Sequence, residues 1–211
     1  MRAQPLHEIC PGEPGAFPAA LGFALALASS WTGAAGVFWA AEEAVLAEDG
    51  APYPPGLAQF GLDPAKLMLI RAAKREDALW AAEQALSAPG AVALCSLGAC
   101  GRPLDLKATR RLLLFAERHR SHCLLVRTQG EASAAWTRWR IRPGPSAAAA
   151  RELGRPAFHA ELVRNRAGAA GRSFILEWNA HACGFDQQTT LAGALPAAAL
   201  DGSSDPVRAR A

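Results

Sequence analysis

The first residues that could carry chemistry stand in a turn between an apolar strand and an apolar helix near the start of the chain. Residues 11–18 read Pro-Gly-Glu-Pro-Gly-Ala-Phe-Pro, and a glycine-containing turn that joins a strand to a helix is the architecture of a phosphate-binding loop. This turn has no lysine to reach the terminal phosphates and no serine or threonine to hold Mg²⁺. Its prolines lack N–H donors, and Glu13 would repel a phosphate. We therefore predict that Gly12, Gly15 and Phe17 mark a degenerate phosphate-loop position that binds no cofactor.

The other positions at which a nucleotide-hydrolysing enzyme needs a carboxylate point the same way. A strand predicted at residues 91–96 ends in Leu-Cys-Ser, where an acid that coordinates Mg²⁺ is expected. Glu42 and Glu43 follow another predicted strand and could polarise a water molecule, but without a phosphate site we interpret them as part of a solvated loop. His7 and His159 are interpreted as packed or strand-edge histidines. The sequence therefore predicts a protein without ATPase activity.

Basic residues in the second half of the chain form the stronger candidate site. Residues 136–142 read Trp-Thr-Arg-Trp-Arg-Ile-Arg and alternate with the period of a strand, which places the first tryptophan and all three arginines on one side. Two further arginines share a face of a later predicted strand. The predicted partner-binding residues are Trp136, Arg138, Arg140, Arg142, Arg164 and Arg166.

A second basic face is predicted on a helix that Asp105 caps. Helical spacing puts four basic side chains on this face: Lys107, Arg110, Arg111 and Arg118. For the arginine-lined strand, three interpretations are open. The first is an exposed sheet face that arginine keeps soluble. The second is a surface that docks an acidic partner protein. The third is a site that binds single-stranded nucleic acid through phosphate contacts and stacking.

Composition bounds the class of protein. The chain has 211 residues, 51% of them hydrophobic, with 22 Lys and Arg against 19 Asp and Glu. The length suits one α/β domain, and the apolar fraction excludes a mostly disordered chain. A net charge of +3 does not by itself indicate nucleic-acid binding. The charge is uneven, however: residues 1–65 carry a net −6 and residues 66–178 a net +10.

Membranes, metals and disulfides are not expected. Residues 14–41 contain no charge, but prolines and small residues interrupt them and no basic residues flank them, so we predict a buried helix followed by a buried strand. No signal peptide is indicated. His119, His122 and Cys123 come nearest to a metal-ligand cluster and are interpreted as part of a solvated helix end. The cysteines are odd in number, and Cys10, Cys95 and Cys123 lie in strand-like runs, which is typical of reduced thiols in a cytoplasm.

The elements alternate between strand and helix and then change to strands alone. Predicted strands cover residues 6–10, 37–40, 67–71, 91–96 and 123–127, and predicted helices cover 18–30, 76–87 and 105 to about 118. Leu106, Thr109, Leu113 and Ala116 are predicted to face inward on the last helix. Residues 42–60 are expected to be a surface loop with one helical turn at 57–60. This order predicts a mostly parallel sheet with helices on both faces. An antiparallel extension with strands at 136–142, 159–165 and 173–178 follows, the last two joined through a turn at 167–171.

The order of these elements resembles that of RecA recombinases, and several short stretches more closely resemble the ImuA family, RecA-like accessory proteins of bacterial DNA-damage-induced mutagenesis. The stretches are Leu6-His-Glu-Ile9, Gly22-Phe-Ala-Leu-Ala-Leu27, Pro55-Gly-Leu57, Phe60-Gly-Leu-Asp-Pro64, Asp77-Ala-Leu-Trp80 with Glu83 and Ala85-Leu86, Leu104-Asp-Leu106 with Arg110-Arg-Leu112, Thr137-Arg-Trp-Arg140, and Glu161-Leu-Val-Arg164 through Glu177-Trp178. Together they span about residues 6–185.

The resemblance implies a RecA-like three-layer core and a function without catalysis. It implies a cytoplasmic, nucleoid-associated accessory of SOS-induced translesion synthesis that works with a Y-family-like protein (ImuB), an error-prone polymerase of the replicative α-subunit class, and RecA. Glu42 matches the acid that follows the second RecA strand, and residues 162–166 resemble a RecA strand whose basic pair reaches the neighbouring subunit. Only residues 128–135 stand where RecA carries a long DNA-contacting loop. These departures argue against ATP-driven filaments and RecA-style DNA binding.

Two other functions remain open from the sequence. One is an SOS-induced cell-division inhibitor, a class that also has a RecA-like fold without a phosphate loop. The other is a single-stranded-DNA-binding module, in which a weak affinity for DNA survives. The expected domain organisation is one degenerate RecA-like domain over residues 1–185, with the extension at about 136–178, and a disordered tail over residues 186–211.

Overall fold

A computed structural model of the chain describes residues 5–31, 36–99, 104–128, 132–146 and 154–187. Nine strands among them form one sheet in the order β3-β2-β4-β5-β1-β6-β7-β8-β9. The strands are β1 (Leu6–Pro11), β2 (Val37–Glu42), β3 (Leu67–Ala72), β4 (Val92–Leu97), β5 (His122–Arg127), β6 (Thr137–Pro143), β7 (Ala157–Asn165), β8 (Arg172–Asn179) and β9 (Gly184–Gln187). The helices are α1 (Phe17–Trp31), α2 (Glu43–Asp49), α3 (Pro54–Gln59), α4 (Arg75–Leu86) and α5 (Leu106–His119).

The sheet has a parallel part and an antiparallel part that meet at β6. Strands β1 to β5 pair in parallel, and β6 pairs in parallel with β1. Strand β6 then pairs antiparallel with β7, and β7, β8 and β9 continue antiparallel. The predicted α/β fold, mostly parallel and with an antiparallel extension at its C-terminal side, is confirmed.

Helices cover the sheet on both faces, which gives the predicted three layers. On one face α1, α2 and α3 pack against a core that includes Phe23, Trp39 and Ile141. On the other face α4 and α5 pack against a second core that includes Leu86 and Leu125. The uncharged stretch of residues 14–41 belongs mostly to α1 and β2. Within the described ranges, no helix has the length and apolarity needed to cross a membrane.

Local sequence explains where the helices next to the site begin and end. Pro18 stands in the first turn of α1, where its missing N–H costs no hydrogen bond. The Asp105 carboxylate caps α5 by accepting a hydrogen bond from the Ala108 N–H at 2.8 Å. The helix ends at Arg120, which adopts a left-handed conformation with φ 53°.

Three expectations about local structure are wrong. Within residues 42–60, which were expected to be a loop with one helical turn, Glu43–Asp49 form α2 and Pro54–Gln59 form α3, because Val45, Leu46 and Leu57 pack into the core. Leu106, which was predicted to face inward on α5, is 49% exposed, whereas Leu112, which was not among the predicted inward-facing residues, is fully buried. The expected tail overlaps β9 at Asp186 and Gln187, since β9 pairs with β8. Residues 188–211 lie outside the described residues.

The cysteines differ in their surroundings. Cys95 and Cys123 are buried, Cys10 is half-buried and Cys183 is exposed, whereas Cys100 lies outside the described residues. Burial raises the pKa of the Cys123 thiol from 9.0 to about 12. The folded protein therefore holds this thiol protonated at pH values where the unfolded chain ionises it.

This pKa difference predicts a loss of stability in alkali. Above pH 9 the unfolded chain binds fewer protons than the folded one, so the free energy of unfolding falls by up to about 1.4 kcal/mol per pH unit for each such thiol. Urea unfolding at pH 8, 9 and 10 should show a shallower decline for Cys123→Ala than for the wild type. Cys183→Ala, which removes an exposed thiol, is the matched control. Equal slopes for wild type and Cys123→Ala would contradict the prediction.

Candidate functional site

The turn at the phosphate-loop position uses its backbone donors inside the protein. The Gly12 N–H donates to the Ile141 carbonyl of β6 at 2.7 Å, and the Ala16 N–H donates to the Glu13 carbonyl at 3.2 Å. Pro14 and Pro18 have no N–H to offer. A phosphate cradle needs several free N–H groups that converge on one point, and these contacts remove two of them.

Arginine side chains from β6 pack against this turn. A Cβ atom built on Gly12 would lie 2.6 Å from Cγ of Arg142 and 3.1 Å from Cγ of Arg140. Both distances are shorter than an ordinary van der Waals contact, so the absence of a side chain at Gly12 allows the arginine stems to approach. The turn therefore supports the arginines of β6.

The end of β4 carries no metal-binding acid. Ser96 is buried there, and its hydroxyl accepts a hydrogen bond from the Trp39 indole N–H at 2.9 Å. No cluster of three or more histidine, cysteine, aspartate or glutamate side chains suited to a metal lies within the described ranges. The position at the end of β4 where a metal-binding acid was expected thus holds a serine in a neutral hydrogen bond.

Glu42 is buried, which corrects the interpretation of both acids after β2 as a solvated loop. Its carboxylate accepts a hydrogen bond from the Gly98 N–H at 2.6 Å and lies 3.4 Å from Nε of Arg75. The Arg75 guanidinium in turn donates to the Gly98 carbonyl at 2.7 Å. Glu42 therefore ties the end of β2 to the end of β4. Glu43 is solvated and forms an exposed ion pair with Arg71 at 2.9 Å.

The strongest electrostatic feature was not predicted from the sequence. Glu8 in β1 is fully buried and its two carboxylate oxygens bind two arginines from the neighbouring strands. Arg127 of β5 donates through Nε to one oxygen, and Arg138 of β6 donates through Nε to the other at 2.8 Å. We call these three residues the Glu8 triad. It links three adjacent strands at the junction of the parallel and antiparallel parts.

The predicted strand arginines lie on one side of β6 and β7. Thr137, Trp139 and Ile141 point toward the α1 side, as the alternation predicts, and the arginines point to the opposite side. We call that side, with the arginines of β6 and those at the end of β7, the arginine face. Its members are Arg138, Arg140, Arg142, Arg164 and Arg166.

These arginines are not equivalent. Arg138 is held in the Glu8 triad, and Arg164 donates to the Ser133 carbonyl at 2.7 Å. Burial, followed by repulsion from Arg166 and Arg138, lowers the pKa of Arg164. Trp136 packs against the core beneath α4 and α5, so its ring serves packing.

The remaining three arginines are exposed. Arg140 lies 3.2 Å from the Glu161 carboxylate, and Arg142 lies 3.2 Å from the His159 imidazole. Arg166 is exposed just after β7. An exposed ion pair is weak, so Arg140 can exchange its partner for an incoming anion.

The second basic face is also exposed. All four predicted basic residues lie on the solvent side of α5, and Arg111 forms an ion pair with the buried Glu83 of α4 at 2.6 Å. This pair joins α4 to α5, while the other three, Lys107, Arg110 and Arg118, remain a solvated stripe. His7 is packed, as predicted, and its ring lies 2.7 Å from the Thr137 hydroxyl.

Sequence comparison now places the chain among known proteins. Protein ImuA of Caulobacter vibrioides is 34% identical to it over 175 residues, which cover 75% of this chain and 67% of the relative. Protein ImuA from a second strain of that species gives the same values. The chain belongs to the ImuA family.

Other comparisons add less to this assignment. No protein-family model matches the chain. The crystal structure of SulA from Pseudomonas aeruginosa matches with a TM-score of 0.43 and 17% identity, over 59% of this chain and 98% of that chain. Family membership thus rests on the match to ImuA.

The Glu8 triad of this ImuA-family chain makes a prediction about stability. Glu8→Gln keeps the shape of the side chain but leaves two guanidinium groups inside the protein without a counterion. We expect the free energy of unfolding to fall by about 3–5 kcal/mol, measured by urea denaturation. Glu161→Gln, which removes the exposed partner of Arg140, should cost less than about 1 kcal/mol. A similar small loss in Glu8→Gln would show that the triad is not structurally important.

Proposed function

We propose that this protein is a non-catalytic accessory of SOS-induced translesion DNA synthesis, acting as an adaptor. The observation that carries the proposal is its 34% identity to ImuA over 75% of the chain. Family membership supports a role in DNA-damage-induced mutagenesis. The proposed partners are an ImuB-type Y-family-like protein, an error-prone polymerase of the replicative α-subunit class, and RecA, at the nucleoid.

The geometry of the turn after β1 supports a function without ATP hydrolysis. Its backbone donors at Gly12 and Ala16 are used within the protein, and its sequence contains no lysine, serine or threonine. Ser96, where a Mg²⁺ ligand would stand, is bound to Trp39. Nucleotide hydrolysis needs both the phosphate cradle and the metal, and these contacts occupy both positions.

The arginine face supports a docking function. Arg140, Arg142 and Arg166 project from one side of the antiparallel extension, and Glu161 of β7 is the acidic partner of Arg140. Arginine binds carboxylates through two parallel hydrogen bonds. An acidic surface of a partner protein is therefore the chemistry that this face would recognise.

Charge reversal at the exposed arginines tests the docking function. Arg140→Glu, Arg142→Glu and Arg166→Glu combined should weaken capture of purified RecA or ImuB-type protein at least about tenfold, because complementary charges become repulsive. Arg138 and Arg164 are left intact, since they are bound inside the protein. The triple variant should retain the wild-type melting temperature.

A matched control carries the same change of charge on the second basic face. Lys107→Glu, Arg110→Glu and Arg118→Glu combined alter three exposed residues of α5 and should leave capture within about twofold. Equal losses in both triple variants would contradict a specific role of the arginine face. Undiminished capture in the first variant would remove the face from the proposal.

The absence of ATPase activity is a separate prediction. Purified protein with Mg·ATP should release phosphate no faster than a buffer blank, and Gly15→Ala in the turn should not change that rate. Gly15 has φ 78°, so the variant should be slightly destabilised. Turnover in the wild type that is lost in Gly15→Ala would overturn the non-catalytic assignment.

A further inference from the structure

Positive charge exceeds negative charge where β1, β5 and β6 end. The Glu8 triad contains two arginines and one carboxylate. Arg140 is two residues beyond Arg138 in β6, so both side chains lie on the same side of the strand. The only acid paired with it among the described residues is Glu161, at the exposed rim.

Some of the cationic and polar atoms at this end of the sheet have no hydrogen-bond partner among the residues that the structure describes. Arg127 is 2% exposed, and its Nη1 and Nη2 atoms are buried without a hydrogen-bond partner among the described residues. The hydroxyl of Thr128, the next residue, is buried and unpartnered in the same way. A buried donor without an acceptor is unfavourable by about 1–3 kcal/mol, and by more when it is charged. Such donors would be stabilised by an acceptor that reached them.

A cleft lies beside Thr128, the residue that follows Arg127. It has a volume of about 190 Å³ and is lined by Cys10, Thr128, Arg138, Arg140 and Val163, among others. Cys10 and Arg138 face the α4 and α5 side of the sheet, the side opposite α1. Pro11, the first residue of the turn that leads into α1, also lines the cleft, and Arg140 packs against Gly12 of that turn, so the cleft adjoins the turn.

The cleft adds no negative charge of its own. Burial, and then the neighbouring Glu8 carboxylate, raises the pKa of the Cys10 thiol to about 11, so the thiol is neutral. Repulsion by Arg166 and Arg138 contributes to the lowered pKa of Arg164. Repulsion between arginines is expected where cations outnumber their counterions, whereas the raised pKa of Cys10 reflects its burial and the nearby Glu8, against the opposing effect of the arginines.

We propose that this cleft binds a compact phosphoryl oxyanion through Arg138, Arg140 and Thr128. Arg127 lies behind it and supplies further positive charge across Glu8. Guanidinium groups bind phosphate oxygens through paired, charge-assisted hydrogen bonds, and the Thr128 hydroxyl donates a further one. This inference goes beyond the adaptor function, because it assigns a ligand that the protein itself holds.

The size of the cleft limits the ligand. Pockets for drug-sized molecules or cofactors measure about 300–1,000 Å³, so 190 Å³ suits a phosphate or diphosphate group without its nucleoside. Two kinds of ligand could supply the phosphoryl oxyanion: a free phosphate or diphosphate, and the phosphodiester backbone of single-stranded DNA. Either source would place its charge on the same side chains.

Titration with sodium diphosphate at constant ionic strength tests the proposal. We expect saturable binding by calorimetry and a melting temperature that rises with diphosphate concentration, because a ligand that binds only the folded state stabilises it. Arg140→Gln should weaken binding about tenfold, since it removes a charged donor. Val163→Glu puts a carboxylate into the cleft and should abolish binding. Arg155→Gln, at an exposed arginine paired with Asp186 in β9, is the control and should bind as the wild type does.

A twelve-residue thymidine oligonucleotide distinguishes the two sources. Competition with diphosphate that is lost in Arg140→Gln assigns the site to DNA phosphodiesters, whereas diphosphate binding without competition assigns it to a free phosphate. The proposal is overturned if diphosphate does not saturate the protein, or if Val163→Glu, folded by circular dichroism, binds it unchanged. Thr128→Val should weaken binding while leaving capture of RecA intact, so this result is independent of the adaptor function.

Discussion

A carboxylate inside the sheet, Glu8, governs the arrangement of this protein. Burial of a single charge is costly unless it is paired and hydrogen-bonded, and the two carboxylate oxygens of Glu8 accept their hydrogen bonds from Arg127 of β5 and Arg138 of β6. The pairing therefore fixes β6 beside β1, at the point where the parallel sheet becomes antiparallel. The antiparallel extension is attached to the core through β6, so its orientation depends on the same contact.

The position of β6 in turn determines what the turn after β1 can do. Gly12 donates its N–H to β6 and lies under the stems of Arg140 and Arg142. In a RecA-like enzyme the corresponding turn would surround phosphates, whereas here it packs against a neighbouring strand. In this chain the turn thus supports basic side chains of the neighbouring strand.

Much of the fold was predictable from the sequence, and the site was predictable only in part. Periods of two along residues 136–142 and 159–165 correctly indicated strands. Strand β6 alternates between a core face and the arginine face, and β7 alternates as far as Leu162, after which a bulge shifts the register and places Arg164 opposite Arg138. Strand β9 and helices α2 and α3 were missed, since they are short and depend on contacts with distant elements. The Glu8 triad was missed for the same reason: its two pairs join residues 119 and 130 positions apart in the chain, and a glutamate in a strand gives no local sign of either partner.

The arginines on one side of β6 differ in how deeply their side chains are buried. Arg138 lies next to Glu8 in the register of β1 and β6, whereas Arg140 and Arg142 follow toward the exposed end of the strand. One strand thus contains a residue that stabilises the fold and residues that are available to bind. Because Arg138 both stabilises the fold and lines the proposed cleft, its substitution would not distinguish recognition from folding, whereas substitutions of the outer arginines and of Thr128 separate the two. The structural constraint at Glu8 is what makes that separation possible, because it holds the outer arginines in place without using them.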